Sequence, residues 1–170
     1  MHIAVVSLGA FGHINPTLSV VTELVRRGVR VTYFTTENFR SIVEPTGADF
    51  VPVKSWMEGN DKHNEDKKDD QTEENVAAVV PFLFLNEAGS YIDDILASLE
   101  KDKPDAIMHD FAGIAGTMAA DVLKVPNIMI YTSYPSNESY SVAESFESTP
   151  ADHPLRIAAA QIAQSYAEKY

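Results

Sequence analysis

Short apolar runs alternate with amphipathic segments along most of the chain. Five runs have the length and composition of buried strands: 2–8, 29–35, 48–53, 105–110 and 126–133. Apolar residues at helical spacing lie between them and predict helices over 16–27, 37–47, 75–102 and 112–124, with a last helix over 155–170. Strands that alternate with helices predict α/β class, a Rossmann-like, doubly wound parallel sheet.

Helix-capping and helix-breaking residue types indicate where several helices begin and end. Asn15 is the expected N-cap of the first helix, and Pro16 suits its first helical position, where a missing N–H costs nothing. Gly28 is expected to end that helix. Pro81 either begins the long helix afresh or kinks it. That helix then carries one apolar face, formed by Tyr91, Ile92, Ile95, Leu96 and Leu99.

Composition narrows the class of protein. A chain of 170 residues with 45% hydrophobic residues suits one globular domain. It has no cysteine, which excludes disulfides and thiolate metal sites and fits a cytoplasmic protein. The first apolar run has no cationic segment before it, so it indicates a strand and not a signal peptide. No apolar run reaches the roughly 18–20 residues that a bilayer span needs.

Charge is concentrated in one segment. The formal net charge of -12 disfavours binding to nucleic acid or to anionic lipid. Residues 58–74 contain eight acidic residues against three lysines and almost no apolar residue. Such a segment cannot bury enough surface to offset the entropy of ordering, so it predicts a mobile, solvated loop. A metal site built from His63 and its acidic neighbours is the alternative, but nothing fixes its geometry.

The residues that could perform chemistry follow the predicted strands. Ligands of open α/β sheets bind beyond the carboxyl ends of the strands. His13 follows the first strand, Asp110 ends the fourth, and a His–Asp pair assembled at that edge could take a proton from a hydroxyl group. Two alternatives stay open on spacing alone: His13 could be a hydrogen-bonding turn residue, and Asp110 could cap the following helix.

The segment GAFGHINP, followed by LVRRGVRVTYFTTENFRSIVEPTGADFVPV, resembles the N-terminal half of nucleotide-sugar-dependent glycosyltransferases of GT-B fold. The bacterial macrolide and flavonoid glycosyltransferases are the most similar. Their G-x-x-G-H-x-x-P pattern is matched by Gly9, Gly12, His13 and Pro16. A later pattern, P-D-hydrophobic-x-x-D, is matched by Pro104, Asp105 and Asp110, and VPNIMIYTS resembles a further family strand.

This resemblance implies an inverting hexosyltransferase, with His13 as general base and Asp110 as the residue that orients it. The co-substrate would be a nucleotide sugar, UDP-glucose being the expected one, and no metal is expected. The other partner would be an apolar small molecule with a hydroxyl group, such as a macrolide or a flavonoid. The expected acceptor-binding residues are Phe11, Gly12, Trp56, Met57, Phe82, Phe84, Tyr131, Ser133 and Tyr134, and core packing is the alternative for the large apolar ones.

The family's nucleotide-binding motif has no counterpart in residues 1–170. The chain is therefore expected to be a single acceptor-binding domain that lacks the C-terminal donor-binding domain and is inactive without that domain or a second chain. A non-catalytic small-molecule-binding or auxiliary protein on the same fold is the alternative. A nicotinamide-dinucleotide-binding protein is a weaker one, because the spacing is GxxG and not GxGxxG.

Overall fold

The computed structural model describes residues 1–59, 73–132 and 150–170. By their contacts they form two compact units. The first comprises Met1–Ser55 and Ala88–Thr132, and the second comprises the described residues of Trp56–Glu87 and Ser133–Tyr170. Most of the predicted acidic loop at 58–74 lies outside the described residues. Within the described ranges, no helix combines the length and apolar character that crossing a membrane requires.

The first unit is built on five parallel strands in the order β3-β2-β1-β4-β5. The strands are β1 His2–Val6, β2 Arg30–Thr36, β3 Asp49–Val53, β4 Ala106–Asp110 and β5 Asn127–Ile130. All five predicted strands are present, and the predicted α/β class with a Rossmann-like parallel sheet is confirmed. The order reverses beside β1, because β2 lies on one side of it and β4 on the other.

Helices lie between successive strands, and a further helix follows the last strand. They are α1 Phe11–Arg26, α2 Arg40–Val43, α3 Trp56–Gly59, α4 Glu73–Leu99, α5 Ile114–Leu123 and α6 Pro154–Lys169. Short 3₁₀ turns at Glu37–Phe39 and Glu44–Thr46 flank α2. The helix α4 continues through Pro81, so this proline does not begin a new helix. The α3 turn was not predicted from the sequence.

Apolar residues cover both faces of the sheet in the first unit. On one face, Val5 of β1 and Tyr33 of β2 pack with Ile14 and Val21 of α1 and with Val43 of α2. On the other face, α5 approaches β1 and β4. The predicted apolar face of α4 is buried throughout: Tyr91, Ile92, Ile95, Leu96 and Leu99. The helices on opposite faces make the sheet doubly wound.

Gly28 ends α1 in a Schellman arrangement, as predicted. Its N–H donates to the carbonyl of Val25 (2.9 Å), and the N–H of Val29 donates to the carbonyl of Leu24 (3.0 Å). This arrangement needs a left-handed residue, and Gly28 has φ +80°. Gly47, after the turn that follows α2, is also left-handed (φ +85°). Here a Cβ would also lie 2.9 Å from Cγ1 of Val25, whereas a Cβ on Gly28 would meet open space.

Replacing either left-handed glycine with alanine should lower stability, and the two losses should differ in size. Gly28→Ala should lower the free energy of unfolding by about 1–2 kcal/mol, the cost of a left-handed L-residue. Gly47→Ala should cost more, because the same backbone strain is joined by a clash with Val25. Urea denaturation followed by circular dichroism measures both. Gly12→Ala is the control, since Gly12 lies within α1 and faces open space, and it should not destabilise the chain. Equal losses for Gly28→Ala and Gly47→Ala would contradict the role of Val25.

Candidate functional site

The carboxyl ends of β1 and β4 lie side by side at the point where the strand order reverses. Val6 at the end of β1 pairs with His109, and Asp110 is the next residue of β4. Crevices at such a reversal are where ligands bind in open α/β sheets. The loop after β1 leads directly into α1, which carries His13 in its first turn. The predicted meeting of His13 and Asp110 at this edge is therefore observed.

The helix α1 begins earlier than predicted, so the assignment of Asn15 as N-cap is wrong. Ala10 is the N-cap, because its carbonyl accepts the N–H groups of His13 and Ile14 (both 3.0 Å). Pro16 therefore lies inside the helix and not at its first position. His13 is the third residue of the helix and not a loop residue. This matters because a helical backbone fixes the direction of its side chain.

The loop before α1 passes close to β2. A Cβ on Gly9 would lie 2.6 Å from Oγ1 of Thr36, so the close approach of this loop to the end of β2 requires glycine. Gly12 plays no such part, because it lies in the first turn of α1, where a Cβ would meet open space. The course of this loop therefore does not depend on a glycine at position 12. The backbone at Gly12 is exposed, and its place in acceptor binding stays a prediction.

Buried hydroxyl groups hold the start of α1 against the sheet. Thr17 donates to the carbonyl of Ile14 (2.8 Å), which leaves the Tyr33 hydroxyl to donate to the Thr17 oxygen (2.6 Å). Both side chains are fully buried. Burial raises the pKa of the Tyr33 phenol, so it stays protonated as a donor. These bonds anchor the helix one turn beyond His13.

Asp110 is fully buried and accepts three hydrogen bonds. Oδ2 accepts the N–H of Leu8 (2.9 Å), and Oδ1 accepts the N–H of Ala112 (2.8 Å) and Nδ1 of His13 (2.8 Å). The alternative that Asp110 caps the following helix is wrong, because Gly113 is the N-cap of α5 and no side chain caps it. The bond to Ala112 instead closes a turn ahead of that helix.

The surroundings of Asp110 keep it ionised. Burial by itself raises the pKa of this carboxyl, but the hydrogen bond and charge of His13 and the N–H groups of Leu8 and Ala112 together outweigh that effect. The net pKa is lowered from its ordinary value of 3.8. At neutral pH the site therefore holds a buried carboxylate that can only accept hydrogen bonds.

His13 is held in one tautomer when it is neutral. A carboxylate oxygen cannot donate, so Nδ1 of His13 carries the proton in the bond to Asp110. The lone pair then lies on Nε2, the ring nitrogen that can accept a proton. The side chain is 18% exposed, which leaves the ring within reach of a ligand while Asp110 is shielded from water. This arrangement has the geometry of a base with an orienting carboxylate.

Two aromatic rings lie close to His13, one in sequence and one in space. Phe11, on the first turn of α1, is 62% exposed and stacks edge-on against the buried Phe39 with ring centroids 5.0 Å apart. The ring of Phe111 lies 5.2 Å from that of His13. Phe111 was missed by the sequence reasoning, although its position directly after Asp110 could have indicated it. Phe11 thus lies on a helical turn, and its role in acceptor binding stays a prediction.

Four of the predicted acceptor residues lie in the second unit. Trp56 and Phe82 stack edge-on, with ring centroids 6.2 Å apart, and the N–H of Met57 donates to the buried carboxylate of Glu87 (2.9 Å). Phe84 is half-buried in the same unit. Glu87 was not singled out from the sequence, although an acid two residues after the apolar run 76–85 is a signal for it. Trp56 and Met57 begin the α3 turn and do not lie in a loop.

The remaining candidates follow β5. Tyr131 is 49% exposed, and Ile128 and Met129 of β5 are exposed to a similar degree. Ser133 and Tyr134 lie outside the described residues, so their predicted roles stay predictions. The structure thus brings His13 and Asp110 together in the first unit and adds Phe111 beside His13, while Phe11 lies on the same helical turn as His13.

Comparison with known proteins gives this arrangement a context. No protein-family model matches the chain. It is 34% identical over 149 residues to an NDP-glycosyltransferase, YjiC, of Bacillus licheniformis, a match that covers 86% of the chain and 37% of the relative. It is 31% identical, over 86% of its length, to the demethyllactenocin mycarosyltransferase of Streptomyces fradiae, of which it covers 32%. The chain thus spans about a third of the length of these relatives.

Solved structures agree with the sequence matches. The crystal structure of CalG4, the calicheamicin glycosyltransferase, superimposes with a TM-score of 0.78 at 25% identity, and the match covers 98% of this chain and 42% of that one. The five parallel strands and the sequence matches lead to the same group of proteins. By sequence and fold, this chain corresponds to the N-terminal half of the GT-B glycosyltransferases.

Proposed function

We propose that the chain is the acceptor-binding half of an inverting glycosyltransferase, which moves a sugar from a nucleotide sugar to a hydroxyl group of an apolar small molecule. The observation that carries this proposal is the hydrogen bond between His13 and the buried carboxylate of Asp110 at the reversal of the sheet. A macrolide-type natural product is the acceptor class that the relatives' names support, and a flavonoid is a further candidate.

His13 would act as the general base. Its Nε2 takes the proton of the acceptor hydroxyl while that oxygen attacks the anomeric carbon of the donor sugar. The new bond forms between the acceptor oxygen and the anomeric carbon, and the bond from that carbon to the diphosphate oxygen breaks. Attack from the face opposite the leaving nucleoside diphosphate inverts the configuration. The proton ends on His13, and the electron pair leaves with the diphosphate.

Asp110 would serve this step in two ways. Its bond to Nδ1 keeps the lone pair on Nε2, where it can take the proton. Its negative charge also stabilises the imidazolium that forms when Nε2 receives the proton. Because Asp110 is shielded from water, this attraction is stronger than it would be at the surface. The carboxylate does not need to accept a proton for either effect.

The aromatic side chains around the pair would bind the acceptor. Phe11 exposes most of its ring while Phe39 supports one side of it, so a flat apolar ligand could cover the exposed part. Phe111 lies against the His13 ring and would contact the same ligand. Trp56, Met57, Phe82, Phe84, Tyr131, Ser133 and Tyr134 are the other proposed acceptor-binding residues.

The donor would be bound by residues beyond this chain. The chain spans 37% of its Bacillus licheniformis relative, so we propose that a C-terminal domain or a second chain supplies most of the nucleotide-sugar site. UDP-glucose is the proposed donor, without a metal ion, and the cytoplasm is the proposed location. Transfer needs both substrates held together, so the chain alone should show no turnover.

Replacing His13 tests its proposed role as the base. In a chimera that joins this chain to the C-terminal remainder of the Bacillus licheniformis relative, His13→Ala should lower kcat by about 100-fold or more. Transfer from UDP-glucose to a macrolide or flavonoid, followed by chromatography, measures it. Asn15→Ala, an exposed change two residues further along α1, is the control and should retain parental kcat.

Two results would contradict the proposal. Parental kcat in His13→Ala would remove His13 from the mechanism. An unmutated chimera that binds acceptor and UDP-glucose but transfers no sugar would favour a non-catalytic binding protein.

Replacing Asp110 tests the buried carboxylate through stability. Asp110→Asn should destabilise the chain at pH 7, because the amide cannot satisfy all three donors around it. The native pKa of Asp110 lies below its unfolded value, so its contribution is present above about pH 3.8 and declines as the pH falls through the lowered native pKa. The difference in unfolding free energy between parent and variant should therefore shrink in acid. Urea titrations between pH 3 and 7 measure it, and a difference independent of pH would contradict this account.

Replacing Phe11 tests acceptor binding. Phe11→Ala should weaken the binding of a macrolide or a flavonoid to the chain about tenfold, because it removes an exposed aromatic contact. Isothermal titration calorimetry measures the Kd. Val20→Ala, an exposed apolar change further along α1, is the matched control and should leave the Kd unchanged. Equal Kd values for parent and Phe11→Ala would count against an acceptor site at Phe11.

A further inference from the structure

A second histidine lies next to Asp110 and is not used by the proposed reaction. His109 precedes Asp110 in β4, and successive strand residues point to opposite faces of the sheet. Asp110 meets His13 of α1 on one face, and His109 meets α5 on the other. The His109 side chain is only 1% exposed. A ring with two polar nitrogens at such a position needs partners for both.

Both nitrogens of His109 have partners. Nδ1 lies 2.7 Å from the backbone carbonyl of Asp110, and a carbonyl only accepts, so Nδ1 carries the proton and donates. Nε2 then accepts from the hydroxyl of Thr117 on α5, at 3.1 Å. In its neutral form the ring therefore has one defined tautomer. The His109 ring thereby links α5 to Asp110, the residue to which His13 is hydrogen-bonded.

Small residues on α5 make room for this ring. A Cβ on Gly116 would lie 2.6 Å from Cβ of His109 and 3.0 Å from Cγ, so only glycine lets the helix approach this closely. The N–H of Gly113 also donates to the carbonyl of Asp110 (2.9 Å). The carbonyl of Asp110 therefore receives two donors, and the carboxylate of the same residue receives three. Its backbone and its side chain are held from opposite faces of the sheet.

We infer that His109 is a positioning residue for the proposed base, acting through the backbone of Asp110. Its Nδ1–H fixes the peptide plane that follows Asp110, and that plane sets the direction in which the Asp110 side chain leaves the strand. The direction of the carboxylate in turn selects the tautomer and the orientation of His13. The effect on catalysis rests on the proposed function, whereas the effect on the His13 tautomer depends only on His109, Asp110 and His13.

Two amide variants separate this role from simple packing. In His109→Asn the short side chain places its NH₂ near the position of Nδ1, so it can still donate to the Asp110 carbonyl. In His109→Gln the longer side chain places its amide near Nε2, towards Thr117, and that donor is lost. His109→Leu removes both bonds. Ile107→Val, a buried change on the same face of β4, controls for lost stability alone.

The first measurement is the protonation of His13 in the 170-residue chain. At pH 9, above the usual titration range of histidine, long-range ¹⁵N NMR distinguishes Nδ1–H from Nε2–H, and His13→Ala assigns the signals. Parent, His109→Asn and Ile107→Val should show the Nδ1–H form. In His109→Gln and His109→Leu the Nε2–H form should become about as populated as the Nδ1–H form.

The second measurement is transfer by the chimera. His109→Gln and His109→Leu should lower kcat about tenfold with KM unchanged, since a small misplacement of a catalytic group is costly. His109→Asn and Ile107→Val should retain kcat within about twofold.

The inference is overturned if His109→Gln keeps the Nδ1–H form of His13, or if Ile107→Val loses it to the same extent. If His109→Leu does not fold, the Asn and Gln pair decides. If the chimera transfers no sugar, the proposed function fails, and the NMR result alone still decides whether His109 positions His13.

Discussion

The burial of the Asp110 charge is the constraint on which the rest of the site depends. A carboxylate out of contact with water is stable only when donors surround it. Those donors come from the loop after β1, the turn after β4 and the first turn of α1. One charge therefore determines the course of two loops and the start of a helix. The same requirement places β1 and β4 side by side, because Leu8 and Ala112 must reach one carboxyl group.

Much of this arrangement could be predicted from the sequence. The short apolar runs located all five strands, and Gly28 indicated the end of α1, because burial and left-handed backbone leave local signals. The meeting of His13 and Asp110 followed from the rule that parallel strands share one carboxyl edge. The resemblance to GT-B glycosyltransferases, which the comparisons bear out, added roles that spacing alone left open.

Other features depend on contacts that no local pattern shows. Asn15 and Pro16 have the residue types of a helix start, but hydrogen bonds from His13 and Ile14 to Ala10 begin the helix one turn earlier. Phe111 matters because its ring lies beside His13 of α1, which is distant in the sequence. His109 matters because it bonds to Thr117 of α5, on the face of the sheet opposite His13. Glu87 is buried because the backbone of Met57, 30 residues away, supplies a donor. Tertiary contacts of this kind outweigh local propensity.

The His13–Asp110 hydrogen bond joins residues 97 positions apart. It has a consequence for how the protein is made, because β4 must pair with β1 before the bond can form. Until residue 110 has left the ribosome, β1 is an edge strand and His13 has no carboxylate beside it. Closing so long a segment into a parallel pair is among the slower events of folding. A nascent chain can therefore form the His13–Asp110 pair only after β1 has a neighbouring strand on each side, so the pair also indicates that the sheet has reached its final strand order.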